Sequence, residues 1–140
     1  MKLKNKLGIL GGSFDPAHKG HLAISKEAAK RYKLKKIIWA ITKKNPLKKK
    51  SQKNITERIK SCNKIIRSNN LIKVRFYENI IKSNKTIKLI SYIKKKTKSE
   101  IYFLMGADNL INFHKWHKWK TISQICNIVV FDRYGYKKKS

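Results

Sequence analysis

Two histidines stand close together in the stretch GGSFDPAHKGH, residues 11–21, which follows a short apolar run. His18 and His21 are three residues apart across an expected helix start, so both imidazoles can project the same way and bracket one anion. The helix start offers backbone N–H groups and a partial positive charge to a phosphate. Protonation, accessible from an ordinary pKa of about 6.5, would add charge to either ring. Taken alone, the spacing favours a plainer interpretation, a satisfied pair of surface histidines in a glycine turn.

Two glycines precede the histidines. Gly11 and Gly12 end the apolar run, and we expect them to let the backbone turn tightly and to let a ligand approach without a Cβ in the way. The stretch matches neither G-x-G-x-x-G nor G-x-x-x-x-G-K-[ST], so a dinucleotide cofactor domain and an ordinary P-loop kinase are both disfavoured.

The elements that must position this stretch alternate between strand and helix patterns along the chain. Apolar runs predict strands at residues 7–11, 37–41, 71–76, 101–106 and 126–132. Helical spacing of apolar residues predicts helices at residues 20–32, 56–67 and 86–96. The alternation predicts an α/β fold, a Rossmann-like doubly wound sheet of about five parallel strands with helices on both faces. Ligands of such sheets gather at the carboxyl ends of the strands.

The chain is strongly basic, with 36 Lys and Arg against 7 Asp and Glu and a formal net charge of +29. Such a charge attracts any polyanion, and we expect non-specific binding to RNA. The excess is mostly lysine and is scattered over every segment, whereas specific reading of bases relies on arginine forks. Specific nucleic-acid recognition is therefore disfavoured.

Apolar stretches and cysteines bear on the compartment. The 140 residues contain no apolar stretch near the roughly 20 residues of a membrane span, and the N-terminal pattern differs from a signal peptide. Cys62 and Cys126 lack metal-ligand spacing, which favours buried or half-buried reduced thiols. We therefore expect a cytoplasmic protein without a membrane partner.

Four segments in order resemble one enzyme family. GSFDPAHKGH matches the G-[ST]-F-D-P-x-H-x-G-H signature of the HxGH nucleotidyltransferase superfamily, and the remainder is similar to the nicotinate-nucleotide adenylyltransferase family within it. TKKNPLK resembles that family's T-P-x-N-P-x-K loop, and MGADNLINFHKWHKW resembles its G-x-D-x-L-x-x-F-x-x-W segment. FDRYGY is similar to its R-P-G-Y stretch, with Tyr134 where proline is usual.

The resemblance implies adenylyl transfer from ATP to nicotinate mononucleotide in NAD biosynthesis, with Mg²⁺ carried by the ATP phosphates and no metal site of the protein's own. It implies that His18 and His21 are the catalytic residues and that His21 supports the transition state. It also implies that Gly106 and Asp108 meet the adenosine ribose. The implied ATP-binding residues are Gly11, Gly12, Ser13, Phe14, His18, His21, Gly106, Asp108 and Arg133.

For the second substrate the resemblance implies that the indole of Trp116 stacks on the pyridine ring. The implied residues are Thr42, Asn45, Lys48, Thr86 and Trp116. Trp116 has a plainer alternative, because it lies in a Phe113, Trp116, Trp119 stripe typical of a core-facing helix. We favour Trp116 as ligand and Trp119 as core.

Three other implied residues also have plainer uses. Asp108 could cap the next helix, Asn45 could form a turn before Pro46, and Lys48 could belong to a solvated loop.

The chain departs from the family pattern at its end. Relatives usually continue to an I-S-S-T-x-I-R-like segment that grips the triphosphate, whereas this sequence ends at RYGYKKKS. A sequence cut short, a natural remnant with weakened activity, and a minimal enzyme that uses lysines instead all remain open. We expect one nucleotidyltransferase-like domain over residues 1–136 and a lysine-rich disordered end over residues 137–140.

Two other function classes compete with this enzyme. A folded nucleotide-binding remnant would bind ATP without turnover, and a non-catalytic basic RNA-binding protein would show polyanion binding that collapses with salt. Phosphopantetheine adenylyltransferases share the turn but usually carry T-x-G-H and lack the downstream tryptophan, so AHKGH and Trp116 disfavour that activity.

Overall fold

Five strands form one parallel sheet in the computed structural model, which describes residues 5–14, 17–43, 54–67 and 69–131. The strands are β1 (Lys6–Gly12), β2 (Lys36–Ile41), β3 (Ile72–Arg75), β4 (Glu100–Gly106) and β5 (Asn127–Phe131). The helices are α1 (Lys19–Tyr32), α2 (Ile55–Ile66), α3 (Glu78–Ile81), α4 (Thr86–Thr97), α5 (Ala107–Asn112) and α6 (Trp119–Ile125), with a 3₁₀ helix at Phe113–Lys115.

The strand order is β3-β2-β1-β4-β5, and every adjacent pair is parallel. The chain builds outward from β1 to β3 on one side and from β4 to β5 on the other. The order therefore reverses between β1 and β4, and in open α/β sheets the crevice outside the carboxyl ends at such a reversal is where ligands bind. The GGSFDPAHKGH stretch begins at this crevice.

Alternating side chains of the strands feed two apolar layers, one on each face of the sheet. In β2, Ile37, Trp39 and Ile41 belong to the layer that α1 and α2 cover, and Ile38 and Ala40 belong to the layer that α4 and α6 cover. A strand buried on both faces reads as a continuous apolar run, which is why the sequence marks β2 clearly.

The predicted Rossmann-like doubly wound sheet of five parallel strands is confirmed, as are the long helices at residues 20–32, 56–67 and 86–96 within one or two residues. The short helices α3, α5 and α6 were not predicted. Helices of four to seven residues carry too few apolar repeats for a period to be read.

Both cysteines are free thiols, with Cys62 buried and Cys126 half-buried, as expected. Burial raises the pKa of each thiol to about 11. Over the residues with described positions, no helix is long and apolar enough to cross a bilayer.

Candidate active site

One cleft of about 1120 Å³ opens at the carboxyl ends of β1, β2 and β4. It joins most of the residues that the sequence placed in the two substrate sites. The expected residues that line it are Gly11, Gly12, Ser13, Phe14, His18, His21, Thr42, Thr86 and Trp116. Its volume suits a ligand larger than a drug-sized molecule, as a dinucleotide is.

The rings of His18 and His21 both accept backbone hydrogen bonds in the turn at the start of α1. His18 is the N-cap of α1 and accepts the backbone N–H of Gly20 on Nδ1 at 3.1 Å, while His21 accepts the backbone N–H of His18 on its own Nδ1 at 3.1 Å. The rings stack with centroids 3.9 Å apart. Because each Nδ1 is an acceptor, each neutral ring carries its proton on Nε2. Both residues line the cleft, and Nε2–H is the donor of each ring, whereas the helix-start amides of Gly20 and His21 are engaged inside the turn.

His21 differs from the expectation of an easily protonated ring. Burial, with the adjacent His18 as a second cause, lowers the pKa of His21 from 6.5 to about 4. The phenyl ring of Phe14 lies 4.7 Å from the imidazole and the indole of Trp39 lies 5.8 Å away, so apolar surface replaces water around it. At neutral pH His21 is an uncharged hydrogen-bond donor and not an imidazolium.

The depressed pKa predicts how stability responds to acid. Between pH 6.5 and pH 4 the unfolded chain binds a proton at His21 that the folded chain does not, so the free energy of unfolding falls as the pH is lowered through this window. The slope from this one group reaches about 1.4 kcal/mol per pH unit. Urea unfolding across the window measures it, with His21→Asn as the reference that keeps an acceptor near Nδ1 and does not titrate. A wild-type chain that loses no more stability than His21→Asn would contradict the assignment.

The turn before the histidines differs from the prediction. Gly11 and Gly12 are the last two residues of β1, and no glycine in the described ranges has a positive φ. The left-handed residue is Phe14, with φ of 51°. A bulky residue seldom adopts this conformation, and here packing maintains it, because the ring of Phe14 is buried and stacks 5.1 Å from Trp39. The prediction that the glycines make the turn was wrong.

Two buried hydrogen bonds connect Trp39, through the Ser25 hydroxyl, to the backbone of His21. The indole Nε1–H of Trp39 donates to the hydroxyl of Ser25 at 2.8 Å, and that hydroxyl donates to the backbone carbonyl of His21 at 2.8 Å. Trp39 and Ser25 are fully buried. Phe14, one of the residues that the resemblance assigned to ATP, lies in this same buried cluster and contacts His21.

Gly20 has a steric role that its helical position hides. A Cβ there would lie 2.9 Å from both Nδ1 and Cε1 of His18. Alanine is more favourable than glycine in a helix by about 1 kcal/mol, which offsets the cost of displacing the His18 ring. Gly20→Ala should therefore change thermal stability little. The displaced His18 ring should nevertheless lower nucleotide turnover by about tenfold, the cost of one lost hydrogen bond. Thermal melts and an adenylyl-transfer assay measure both, with Lys26→Ala on the exposed face of α1 as control, and unchanged turnover would refute the steric role.

The other end of the cleft holds the residues implied for the nicotinate nucleotide. Thr42 follows β2, Thr86 is the first residue of α4, and Trp116 follows the 3₁₀ helix. Trp116 is half-buried and meets Phe103 and Phe113 edge-on at 6.0 and 5.2 Å. Trp119 packs on Phe113 and is not among the cleft-lining residues. The stripe read as one helix face is split between the 3₁₀ helix, the residue after it and α6.

Gly106 and Asp108 lie beside the cleft without lining it. Gly106 ends β4 and is the N-cap of α5, and an added Cβ would meet nothing within 4 Å. The N-cap position of α5 is Gly106, and Asp108 lies in the first turn of that helix. Asn45, Lys48 and Arg133 lie outside the described residues.

A family model described as cytidylyltransferase-like matches residues 9–139. The chain belongs to the cytidylyltransferase-like family. Two of its relatives carry the name "Probable nicotinate-nucleotide adenylyltransferase". The one from Pelagibacter ubique (strain HTCC1062) is 65% identical over 137 residues, which are 98% of this chain and 76% of that relative. The one from Agrobacterium fabrum (strain C58 / ATCC 33970) is 36% identical over 131 residues, 92% of this chain and 70% of that relative. The resemblance drawn from the motifs is thereby confirmed.

A solved structure shares the fold of this cytidylyltransferase-like chain. Plasmodium falciparum nicotinic acid mononucleotide adenylyltransferase complexed with NaAD matches with a TM-score of 0.79 at 19% identity. The match covers 92% of this chain and 65% of that one. At this identity the likeness concerns the fold.

Sequence reasoning missed several cleft residues of this cytidylyltransferase-like chain. Tyr77 and Glu78 follow β3, and their position was readable, because carboxyl ends of parallel strands meet at one edge of the sheet. Arg58 does not line the cleft but bonds to Ser13 and Thr42, which do, and it was missed for another reason. An arginine within an amphipathic helix pattern reads as exposed, yet Arg58 is only 2% exposed. Among the described residues, no three His, Cys, Asp or Glu side chains group closely enough to hold a metal ion.

Proposed function

We propose that this chain transfers the adenylyl group of ATP to nicotinate mononucleotide, forming nicotinate adenine dinucleotide and pyrophosphate. An oxygen of the mononucleotide 5′-phosphate attacks the α-phosphorus of ATP, and the bond from that phosphorus to the β-phosphate oxygen breaks. The relatives at 65% and 36% identity carry the name of this activity. ATP enters as its magnesium complex, so the metal arrives with the substrate.

The observation that carries the proposal is the stacked imidazole pair at the topological reversal of the sheet. Two Nε2–H donors fixed by backbone hydrogen bonds suit the phosphate oxygens on which negative charge builds up during displacement. Since His21 is neutral at physiological pH, it acts by donating a hydrogen bond to the α-phosphate and not by giving up a proton. Reaction of two anions then depends on alignment, which the hydrogen bonds that fix the two rings at the start of α1 support.

The nicotinate mononucleotide takes the end of the cleft that carries Thr42, Thr86 and Trp116. The half-buried Trp116 is held edge-on by two phenyl rings, which leaves an aromatic face that can stack on a pyridine ring. Asn45 and Lys48, which follow Thr42 in the sequence, are assigned to the same substrate by the family motif alone. Such stacking is worth about 0.5–1.5 kcal/mol beyond area burial, so it orients the ring more than it provides affinity.

The adenosine lies toward the end of β4 in the proposed complex. Gly106 has open space where a Cβ would stand, which allows a ribose to approach the backbone. Asp108 accepts from the ribose hydroxyls and Arg133 contacts ATP; both assignments rest on the family motif.

Pyrophosphate release in the presence of MgATP and nicotinate mononucleotide tests the proposal. The chain should release pyrophosphate only when both substrates are present, and the dinucleotide should appear in equal amount. His114→Ala is the matched control, since His114 is exposed and is not among the residues that line the cleft. ATP binding without turnover would favour the remnant, and salt-sensitive RNA binding without saturable ATP binding would favour the basic RNA-binding protein.

A further inference from the structure

The dipeptide Thr42–Lys43, at the nicotinate end of the cleft, is bonded at every polar backbone atom. The N–H of Thr42 donates to Gly12 O at 2.8 Å and continues the ladder between β1 and β2. The Thr42 hydroxyl donates to Glu78 Oε2 at 2.6 Å, and the Lys43 N–H donates to Glu78 Oε1 at 3.0 Å. The carbonyls of both residues accept from Arg58.

Arg58 reaches two loops at once. Its Nη1 donates to Ser13 O at 3.1 Å and to Thr42 O at 2.8 Å, and its Nη2 donates to Lys43 O. Ser13 follows β1 and belongs to the turn that leads to the histidines, whereas Thr42 and Lys43 follow β2. A planar guanidinium with five N–H donors can bridge several carbonyls in this way, and an ammonium group cannot reproduce the fork.

Glu78 approaches the same dipeptide from the opposite side. It is the first residue of α3, directly after the loop that ends β3, and both of its carboxylate oxygens are engaged by Thr42 and Lys43. Within the described part of the chain, Glu78 makes no hydrogen bond to residues 11–14, so its hold is confined to Thr42 and Lys43. Arg58 and Glu78 therefore overlap on Thr42–Lys43 and differ at Ser13.

We propose that Arg58 and Glu78 are positioning residues that clamp Thr42–Lys43 between them. Glu78 serves the nicotinate mononucleotide end of the cleft alone. Arg58 couples that end, through Ser13, to the segment that leads to His18 and His21. The inference rests on the proposed function for the identity of the two substrates. A buried cation and a carboxylate on opposite sides of one dipeptide hold its hydroxyl and carbonyls in fixed directions, which a substrate-binding loop needs if it is to meet its ligand without reordering.

The unequal reach of the two residues gives the test. Glu78→Ala should weaken binding of nicotinate mononucleotide by about tenfold, the equivalent of one charge-assisted hydrogen bond, with ATP binding within about twofold of the wild type. The affinity of Glu78→Gln for nicotinate mononucleotide should lie between that of Glu78→Ala and that of the wild type. Arg58→Lys should weaken the binding of both nucleotides. Calorimetric titration measures each affinity, and Glu57→Gln and Arg31→Lys are the matched controls, because Glu57 and Arg31 are exposed and lie away from the cleft-lining residues.

Amide hydrogen exchange tests the clamp without any ligand. In Glu78→Ala the Lys43 N–H should exchange about tenfold faster or more, while the N–H of Ile41 inside β2 keeps its rate. If exchange at Lys43 is unchanged, or if Glu78→Ala weakens both nucleotides equally, the clamp is refuted. A wild-type chain that binds neither nucleotide would contradict the proposed function and not the clamp, which the exchange rate decides alone. If Arg58→Lys does not fold, the Glu78 variants and the exchange rates still decide the proposal.

Discussion

Replacement of His21 by alanine should lower kcat for adenylyl transfer by about 10²–10³, the usual cost of removing one preorganised donor to a developing negative charge. His21 lines the cleft, and its Nδ1 accepts the His18 N–H that holds the turn. Because the contact with phosphate is strongest when charge develops, we expect kcat to change more than the KM for ATP. His114→Ala should stay close to the wild type.

Two further variants separate the two nitrogens of His21. Asparagine places an amide oxygen near the position of Nδ1, so His21→Asn should keep the hydrogen bond from the His18 N–H and the stability of the turn, yet be as slow as alanine. Glutamine places an amide N–H near the position of Nε2, so His21→Gln should recover part of the rate and lose about 1 kcal/mol of stability with the capping bond. The reverse order of rates would show that Nδ1, and not Nε2–H, serves the reaction.

Replacement of Trp39 by alanine should cost about 3–5 kcal/mol of unfolding free energy, the range for truncating a large buried aromatic side chain. Trp39 has no exposed surface, stacks on Phe14 and donates to Ser25, so the variant leaves a cavity and a hydroxyl without its donor. A loss of this size is a large share of the 5–15 kcal/mol that typical domains possess. Thermal and urea unfolding measure it.

The same substitution should also affect the site, because Trp39 contacts the His21 ring and holds Ser25 under its carbonyl. Trp39→Phe should retain most of the stability and still lower turnover, since it keeps the ring contact and removes the Nε1–H. Trp119→Ala is the control: Trp119 is only half-buried and does not line the cleft, so it should lose less stability. Equal losses for Trp39→Ala and Trp119→Ala would contradict the packing argument.

Sequence patterns predicted the sheet because β1, β2 and β4 are buried on both faces and read as unbroken apolar runs. They also predicted that His18 and His21 share one side of a helix start. The conformation of Phe14 was not predictable, since its φ of 51° depends on stacking against Trp39, which is distant in sequence. The glycines predicted a turn at residues 11–12, whereas the left-handed residue in this segment is Phe14, whose packing maintains its conformation.

The neutral form of His21 and the clamp on Thr42–Lys43 could not be predicted from the sequence for a related reason. The neutral form of His21 follows from burial against Phe14 and Trp39, and the burial of Arg58 follows from its bonds to three carbonyls on two loops. Each property depends on contacts between segments that are distant in sequence, which a local sequence pattern does not show. Glu78 is intermediate: its place after β3 was readable, but its bonds to Thr42 and Lys43 were not.

The most direct test of the role of the two histidines is a long-range proton–nitrogen NMR spectrum of the histidine rings, recorded on nitrogen-labelled chain with and without MgATP. We expect His21 to be neutral with its proton on Nε2 at neutral pH, and we expect the Nε2 signals of His18 and His21 to move on addition of MgATP while those of His114 stay. A His21 ring that is charged or protonated on Nδ1, or Nε2 signals that do not respond to saturating MgATP, would contradict it.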